Sequence, residues 1–354
     1  MTTPAPVSSL SIDPTSEPDV PSPTMEAVDL SSPQPPASPT PLASATPTAT
    51  IEPAPIIQPT PLDAQGLPCP DLNPTKPDYA RYILSVEPWP TPDLELPTPA
   101  FSLADPLPGA IRNAGYPYGS DGNDRYLLHN GLDMAHEDKA FAVAAADGTV
   151  IVARDDLDEM FGWRCDWYGR LVILKLDETS NDQPVYLLYG HVSDIQVEEG
   201  QRVASGDPIA RQETAGAAVV AHLHFEVRRG ENTFGSTQNP LLWVEPEPGH
   251  GIIAGRVVDP DGRAWQGVIV TLIDRRGVAP FVNTWSYLDD PDHLIRPDPS
   301  LAENFVFEPV EAGTYDVFTQ IQGIDYRQTV EVADGRLAIL DIVTEPYRMP
   351  TPTP

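Results

Sequence analysis

Four histidines and one aspartate of this 354-residue chain sit at spacings that suit metal-assisted hydrolysis. The first pattern is His129-Asn130-Gly131-Leu132-Asp133. A His and a carboxylate four residues apart can close on one ion if the intervening Gly lets the backbone turn, and both are ordinary zinc ligands. The second pattern is His222-Leu223-His224-Phe225-Glu226-Val227. On a strand, His222, His224 and Glu226 share one face while Leu223, Phe225 and Val227 point to the core. Imidazoles at i and i+2 lie about 7 Å apart at their backbones, near enough to address one ion or one reacting centre. The third is Tyr189-Gly190-His191, closing an apolar run. Each pattern taken singly has a bland reading as surface or core. Their conjunction in one stretch of sequence points to a single centre.

The flanking segments must hold these groups on strands. The run FAVAAADGTVIVARDD reads as two short strands around the turn Asp147-Gly148. YGRLVILKLD and PVYLLYGHV are β-rich runs separated by the turn cluster Glu178-Thr179-Ser180-Asn181-Asp182. VEEGQRVASGDPIARQ carries two Gly-centred turns, and HLHFEVRRG is a further strand. No helical periodicity exceeds two turns. The fold class is all-β, with a mostly antiparallel domain at residues 105–247. Past Pro246-Glu247-Pro248-Gly249 come six more strand-like runs: GIIAGRVVD, GVIVTLIDR, ENFVFEPV, TYDVFTQI, YRQTVEVAD and RLAILDIV. They predict a small C-terminal β-sandwich at 251–344.

HNGLDMA, YGHVSD and HLHFEV, in that order and spacing, resemble the three signature blocks of LytM/lysostaphin-type zinc metallopeptidases. Those enzymes are secreted or face the envelope, and cut peptide stems and cross-bridges of bacterial cell wall. ADGTVIVA, VEEGQRVASGDPIA and a closing NPLLWV fit the same pattern, so the likeness spans about residues 105–245. It implies that His129, Asp133 and His224 bind one zinc ion. It also implies that His191 and His222 are the two catalytic, non-ligand histidines. Three protein ligands leave the fourth position for water, whose pKa zinc lowers toward ~7. No His-Glu-x-x-His helix is present, so histidines take the proton work. Glu226 reads either as an acceptor that fixes a ring tautomer or as a solvated side chain.

The sequence departs from that family in the segment ahead of the His-x-His block. Glu213-Thr214-Ala215-Gly216 stands where Gly-x-Thr-Gly is usual, and Val220-Ala221 where a Gly-Pro step is usual. These loops line the family's substrate groove. The stretch DDLDEMFGWRCDWYGR brings Trp163, Cys165 and Trp167, as groove-wall aromatics or as core. GRVVDPDGRAWQGVIVTLID and EAGTYDVF are similar to carboxypeptidase-regulatory-like (transthyretin-like) domains, which are often spacers; no ligand is assigned there. His250 and His293 lack partner spacing and read as surface residues.

Composition sets the remaining limits. The chain has 52 acidic against 21 basic side chains, a formal charge of -31. Such a field repels phosphate backbones and anionic lipid, excluding nucleic acid and membrane surfaces as partners of basic patches. Residues 1–75 hold no aromatic side chain and are rich in Pro, Thr, Ser and Ala. They cannot bury enough apolar area to offset ordering, which predicts a disordered spacer. Residues 76–104 read as a connecting segment, and 345–354 as a Pro/Thr tail. Cys69 and Cys165 predict either one disulfide or two free thiols. No run approaches a membrane span, and Met1–Leu10 lacks the basic start and apolar core of a signal peptide. The resemblance nevertheless implies an extracellular or cell-envelope location and peptidoglycan peptides as partner. No feature specifies an oligomeric state. A second reading is a non-catalytic envelope scaffold or amidase activator, a role in which such folds generally lose ligands or catalytic histidines. Here all five positions are filled.

Overall fold

The computed structural model describes residues 69, 76–98, 102–137, 139–277, 280–289 and 294–348. The expected spacer (apart from Cys69), the last six residues and His293 lie outside them. The strands are β1 (Ile83–Leu84), β2 (Ile111–Arg112), β3 (Leu132–Ala135), β4 (Phe141–Val143), β5 (Gly148–Asp155), β6 (Arg170–Ser180), β7 (Gln183–Gly190), β8 (Val192–Ser193), β9 (Arg202–Val203), β10 (Pro208–Gln212), β11 (Leu223–Arg229) and β12 (Thr237–Gln238). Then follow β13 (His250–Val258), β14 (Trp265–Gln266), β15 (Ile269–Asp274), β16 (Val282–Trp285), β17 (Phe305–Val306), β18 (Val310–Glu311), β19 (Gly313–Ile321), β20 (Ile324–Val332) and β21 (Leu337–Val343). The fold is all-β and mostly antiparallel; β13 with β21 is the parallel pair among the described strands.

One sheet carries the site, in the order β2-β3-β11-β7-β6-β5-β9, with β12 also on β11. The continuous apolar run Leu171-Val172-Ile173-Leu174 of β6 is buried on both faces, as such a run requires. Val172 and Leu174 join Leu187, Tyr189, Leu223, Phe225 and Val227 in the main core. Leu171, Ile173 and Leu188 pack on the opposite face beneath Phe161 and Tyr168. The β6–β7 hairpin closes on Asn181 and Asp182, with φ of 49° and 60°. Two consecutive positive-φ residues match the twist of the flanking strands, and Asn and Asp tolerate that conformation best after Gly.

β4 and β5 both form, but they do not pair across Asp147-Gly148. β4 pairs with β10 in a three-stranded sheet completed by β8, and β5 pairs with β6 and β9. The connection passes between sheets because Ala144 is tied to the 204–207 turn, donating to Asp207 O and accepting from Gly206 N. On the polar face of β11, Glu226 and Arg228 are fully buried.

The C-terminal strands form two four-stranded sheets: β17-β13-β18 with β21 on β13, and β16-β15-β19-β20. Ile253, Val257, Trp265, Phe305 and Val317 pack together there. Ile252, Ala254, Leu301 and Val306 instead join the main core, so residues on either side of 247–251 share one apolar cluster. The segment 76–98 is bound to both parts. β1 pairs with β14, the Trp89 indole donates to Ala302 O, and Lys76 and Arg81 pair with buried Asp121.

Candidate metal centre

His129 precedes β3, Asp133 lies on β3, and His224 lies directly opposite Asp133 across the β3–β11 pair. Directly opposed residues project to the same side of a sheet with Cβ atoms about 5 Å apart. Register therefore brings two of the three groups together, and the 129–133 segment supplies the third. His129 Nε2 is 3.1 Å from Asp133 Oδ1 and 3.3 Å from His224 Nδ1. His224 Nδ1 is 2.9 Å from Asp133 Oδ1. Tetrahedral ligands at about 2.0–2.1 Å from zinc stand roughly 3.3 Å apart, so this His-Asp-His donor set fits such an ion. Gly131, where the backbone bends ahead of β3, also makes room for the His224 ring.

The second nitrogen of each of these histidines is engaged. His129 Nδ1 donates to Tyr116 O at 2.6 Å, and its ring stacks on the Tyr116 ring at 4.1 Å with planes 10° apart. His224 Nε2 donates to Glu226 Oε1 at 3.2 Å. Such partners fix which ring nitrogen faces the ion. Although Asp133 is buried, His129 and His224 hold its carboxyl well below the usual range. Burial also opposes charge on His224, yet Asp133 and Glu226 raise its pKa to about 9. This locality favours a positive charge. A proton and a metal ion compete there for His224 Nδ1.

His191 and His222 stand beside the centre, with ring centroids 4.8 Å apart. β7 ends at Gly190, which pairs with His224, and His191 then leaves the strand at φ 57°. His191 Nδ1 lies 2.8 Å from Ala215 O, and His222 Nδ1 lies 2.9 Å from Val220 O. Both Nε2 atoms are thereby left for chemistry, that of His222 being 3.5 Å from Asp133 Oδ1. Burial, with His224 and His222 alongside, pushes the His191 pKa down to about 3, so its ring is neutral.

All five site residues line a cleft of about 640 Å³. Tyr126 and Leu127 line it with Trp167 and the exposed Val219 and Val220. The insertion aromatics thus separate: Trp167 lines the cleft, while Trp163 packs edge-on to Phe234 at 5.3 Å. Cys165 is disulfide-bonded to Cys69. His250 is half-buried.

Sequence reading names Glu226 but misses the groups that hold it. Glu226 is not solvated: it accepts from Asn130 Nδ2 at 3.0 Å, from the Tyr168 hydroxyl, and from Arg228 Nε at 2.7 Å. The Arg228 charge, with these bonds, outweighs burial and lowers the Glu226 pKa to about 2. The signal was available, because Arg228 continues the alternation of His224 and Glu226. Tyr168 carried no signal.

The model of peptidase family M23 matches residues 127–240, the stretch that contains all five residues. Residues 127–240 are a peptidase family M23 domain. Over 117 residues the chain is 35% identical to a lipoprotein NlpD/LppB homolog of Pseudomonas aeruginosa. That alignment spans 33% of this chain and 33% of the relative, so the chain matches about a third of the curated relative's length. Among solved structures, the M23 domain is similar to the catalytic domain of the antimicrobial peptidase lysostaphin from Staphylococcus simulans. The identity is 22%, covering 37% of this chain and 90% of that one, with a TM-score of 0.28. It is similar too to the catalytic domain of the prophage-encoded M23 protein EnpA from Enterococcus faecalis. There the identity is 22%, covering 38% and 90%, with a TM-score of 0.31.

Proposed function

We propose that the chain is a zinc-dependent metalloendopeptidase that hydrolyses peptide bonds of bacterial peptidoglycan. In this reading residues 105–247 are the catalytic module, and 251–344 an accessory sandwich. The observation that carries it is the convergence of His129, Asp133 and His224, with His191 and His222 side by side on the same cleft. One zinc ion, when bound, supplies a Lewis acid that polarises the scissile carbonyl and activates water near neutral pH.

The protein's own groups then divide the work. His129 offers Nε2, Asp133 Oδ1 and His224 Nδ1 to the ion. His191 and His222 each give the Nδ1 proton to a backbone carbonyl, which leaves a lone pair on Nε2 of the neutral ring. One such nitrogen takes the proton from water and returns it to the leaving amine, and the other, after taking a proton from solvent, stabilises the developing oxyanion. The apolar rim of Tyr126, Trp167, Val219 and Val220 supports contact with the apolar parts of a peptide substrate.

A cell-envelope or extracellular site of action is consistent with the Cys69–Cys165 disulfide, since such bonds persist in oxidising compartments. No described helix is long and apolar enough to cross a membrane.

The test is digestion of purified peptidoglycan and defined wall peptides by the full chain, with zinc content measured in parallel. Cleavage abolished by a chelator and by His224→Ala supports the proposal. Retained cleavage after either treatment overturns it. A zinc-free chain that cleaves nothing but switches on a wall amidase supports the scaffold or activator reading instead.

A further inference from the structure

Arg228 is fully buried, and the chemistry above gives it no task. It lies on the same face of β11 as His224 and Glu226 by period-two alternation. Every nitrogen of its guanidinium is directed inward. Nε donates to Glu226 Oε2 at 2.7 Å, Nη1 to Asn232 Oδ1 at 3.2 Å, and Nη2 to Phe161 O at 3.0 Å. The two Glu226 oxygens are thereby divided. Oε2 belongs to Arg228, while Oε1 receives Asn130, Tyr168 and the Nε2–H of His224.

The terminal torsion of a glutamate is broad, so an unrestrained carboxylate does not keep its plane aligned with a given donor. Arg228 grips Oε2 from the side opposite Asn130 and Tyr168, which restrains that plane. Stability alone is a poor reason to retain the pair, because apolar residues of similar volume serve as well or better in a buried position. Proximity to a metal-binding histidine supplies another.

We propose that Arg228 is a positioning residue of the metal centre. By holding Oε2 it directs Oε1 onto His224 Nε2–H, and so presents Nδ1 of that ring toward His129 and Asp133. The inference rests on the zinc reading above and deepens it. Partners of this kind typically change metal affinity by about 10–100-fold when removed.

The experiment measures zinc affinity of the full chain by competition with a zinc-binding dye, with far-UV circular dichroism as the fold control. Arg228→Met and Glu226→Gln are each expected to weaken zinc binding by about 10–100-fold. The double variant is expected to match Glu226→Gln alone, because the contacts of Arg228, to Glu226 directly and to the Tyr168 hydroxyl at 3.5 Å, reach His224 through that carboxylate. Arg228→Lys, which keeps the charge but loses the fork, is expected to fall between wild type and Arg228→Met. If either single variant does not fold, the double variant, which leaves no unpaired buried charge, is compared with wild type, and wild-type zinc affinity there overturns the proposal. A further tenfold loss in the double variant overturns the proposal. Wild-type affinity in Arg228→Met overturns it alone, whereas a wild-type chain that takes up no zinc overturns the metal reading itself.

Discussion

Gly131 is wedged between the His224 ring and the backbone of β11. A Cβ there would lie 2.5 Å from His224 Nε2 and 2.8 Å from Phe225 O. The carbonyl belongs to the β11 ladder and cannot yield, so the ring must. Gly131→Ala is therefore expected to displace His224 from Asp133. Zinc affinity should fall at least about tenfold, with a stability loss of roughly 1–3 kcal/mol from overpacking. Dye competition and urea unfolding measure the two effects. Wild-type zinc affinity in this variant would show that the contact relaxes elsewhere.

Trp167 lines the cleft, with its ring against Gly162, where a Cβ would come within 2.3 Å of Trp167 Cδ1. Its backbone N–H is held by Asp156, so removing the indole spares the loop. An aromatic contact contributes about 0.5–1.5 kcal/mol, which predicts a roughly 2- to 10-fold rise in KM for wall peptides in Trp167→Ala. Zinc affinity should not move. A fall in kcat with KM unchanged would place Trp167 outside substrate binding.

Glu303 is 1% exposed, accepting from Tyr287 OH at 3.2 Å and Asp298 N at 2.9 Å. Burial, reinforced by the Asp298 carboxylate, pushes its pKa well above the usual carboxylate range. The folded state thus retains a proton that the unfolded chain releases above its own, lower pKa. Where the native state binds more protons, stability falls as pH rises. The contribution is complete below the unfolded pKa and is lost as pH climbs through the folded one. Urea midpoints at pH 5 and pH 8 should show a smaller drop for Glu303→Gln than for wild type. Equal drops in both proteins would refute this assignment.

The Cys69–Cys165 bridge spans 96 residues of sequence and ends in the loop that carries Trp167 and Tyr168. Closing so long a loop restricts the unfolded chain, and losing the bond costs typically about 2–5 kcal/mol. Cys165→Ser should show that loss in urea, and dithiothreitol should destabilise wild type but not the variant. Identical midpoints with and without reductant would remove the bridge from the stability of the fold.

The site was legible because period-two alternation and ladder register are local rules. HLHFEV on a strand fixes that His224 and Glu226 face away from Leu223, Phe225 and Val227, and those three do enter the main core. The β6–β7 hairpin was legible for the same reason, through its Asn-Asp turn. Illegible were contacts between distant segments. Tyr168 reaches Glu226 only because the 156–169 loop folds over the sheet face.

Alternation and turn chemistry act between near neighbours, so the sequence alone determined an all-β chain and the small set of groups able to hold an ion. Which strands pair, that Gly131 gives space to the His224 ring, that Glu226 and Arg228 are sealed from water, and that Ile252 and Leu301 share the core of the M23 domain were decided by tertiary packing. Burial and close approach depend on what the rest of the chain brings to a position, and no spacing within one segment encodes that.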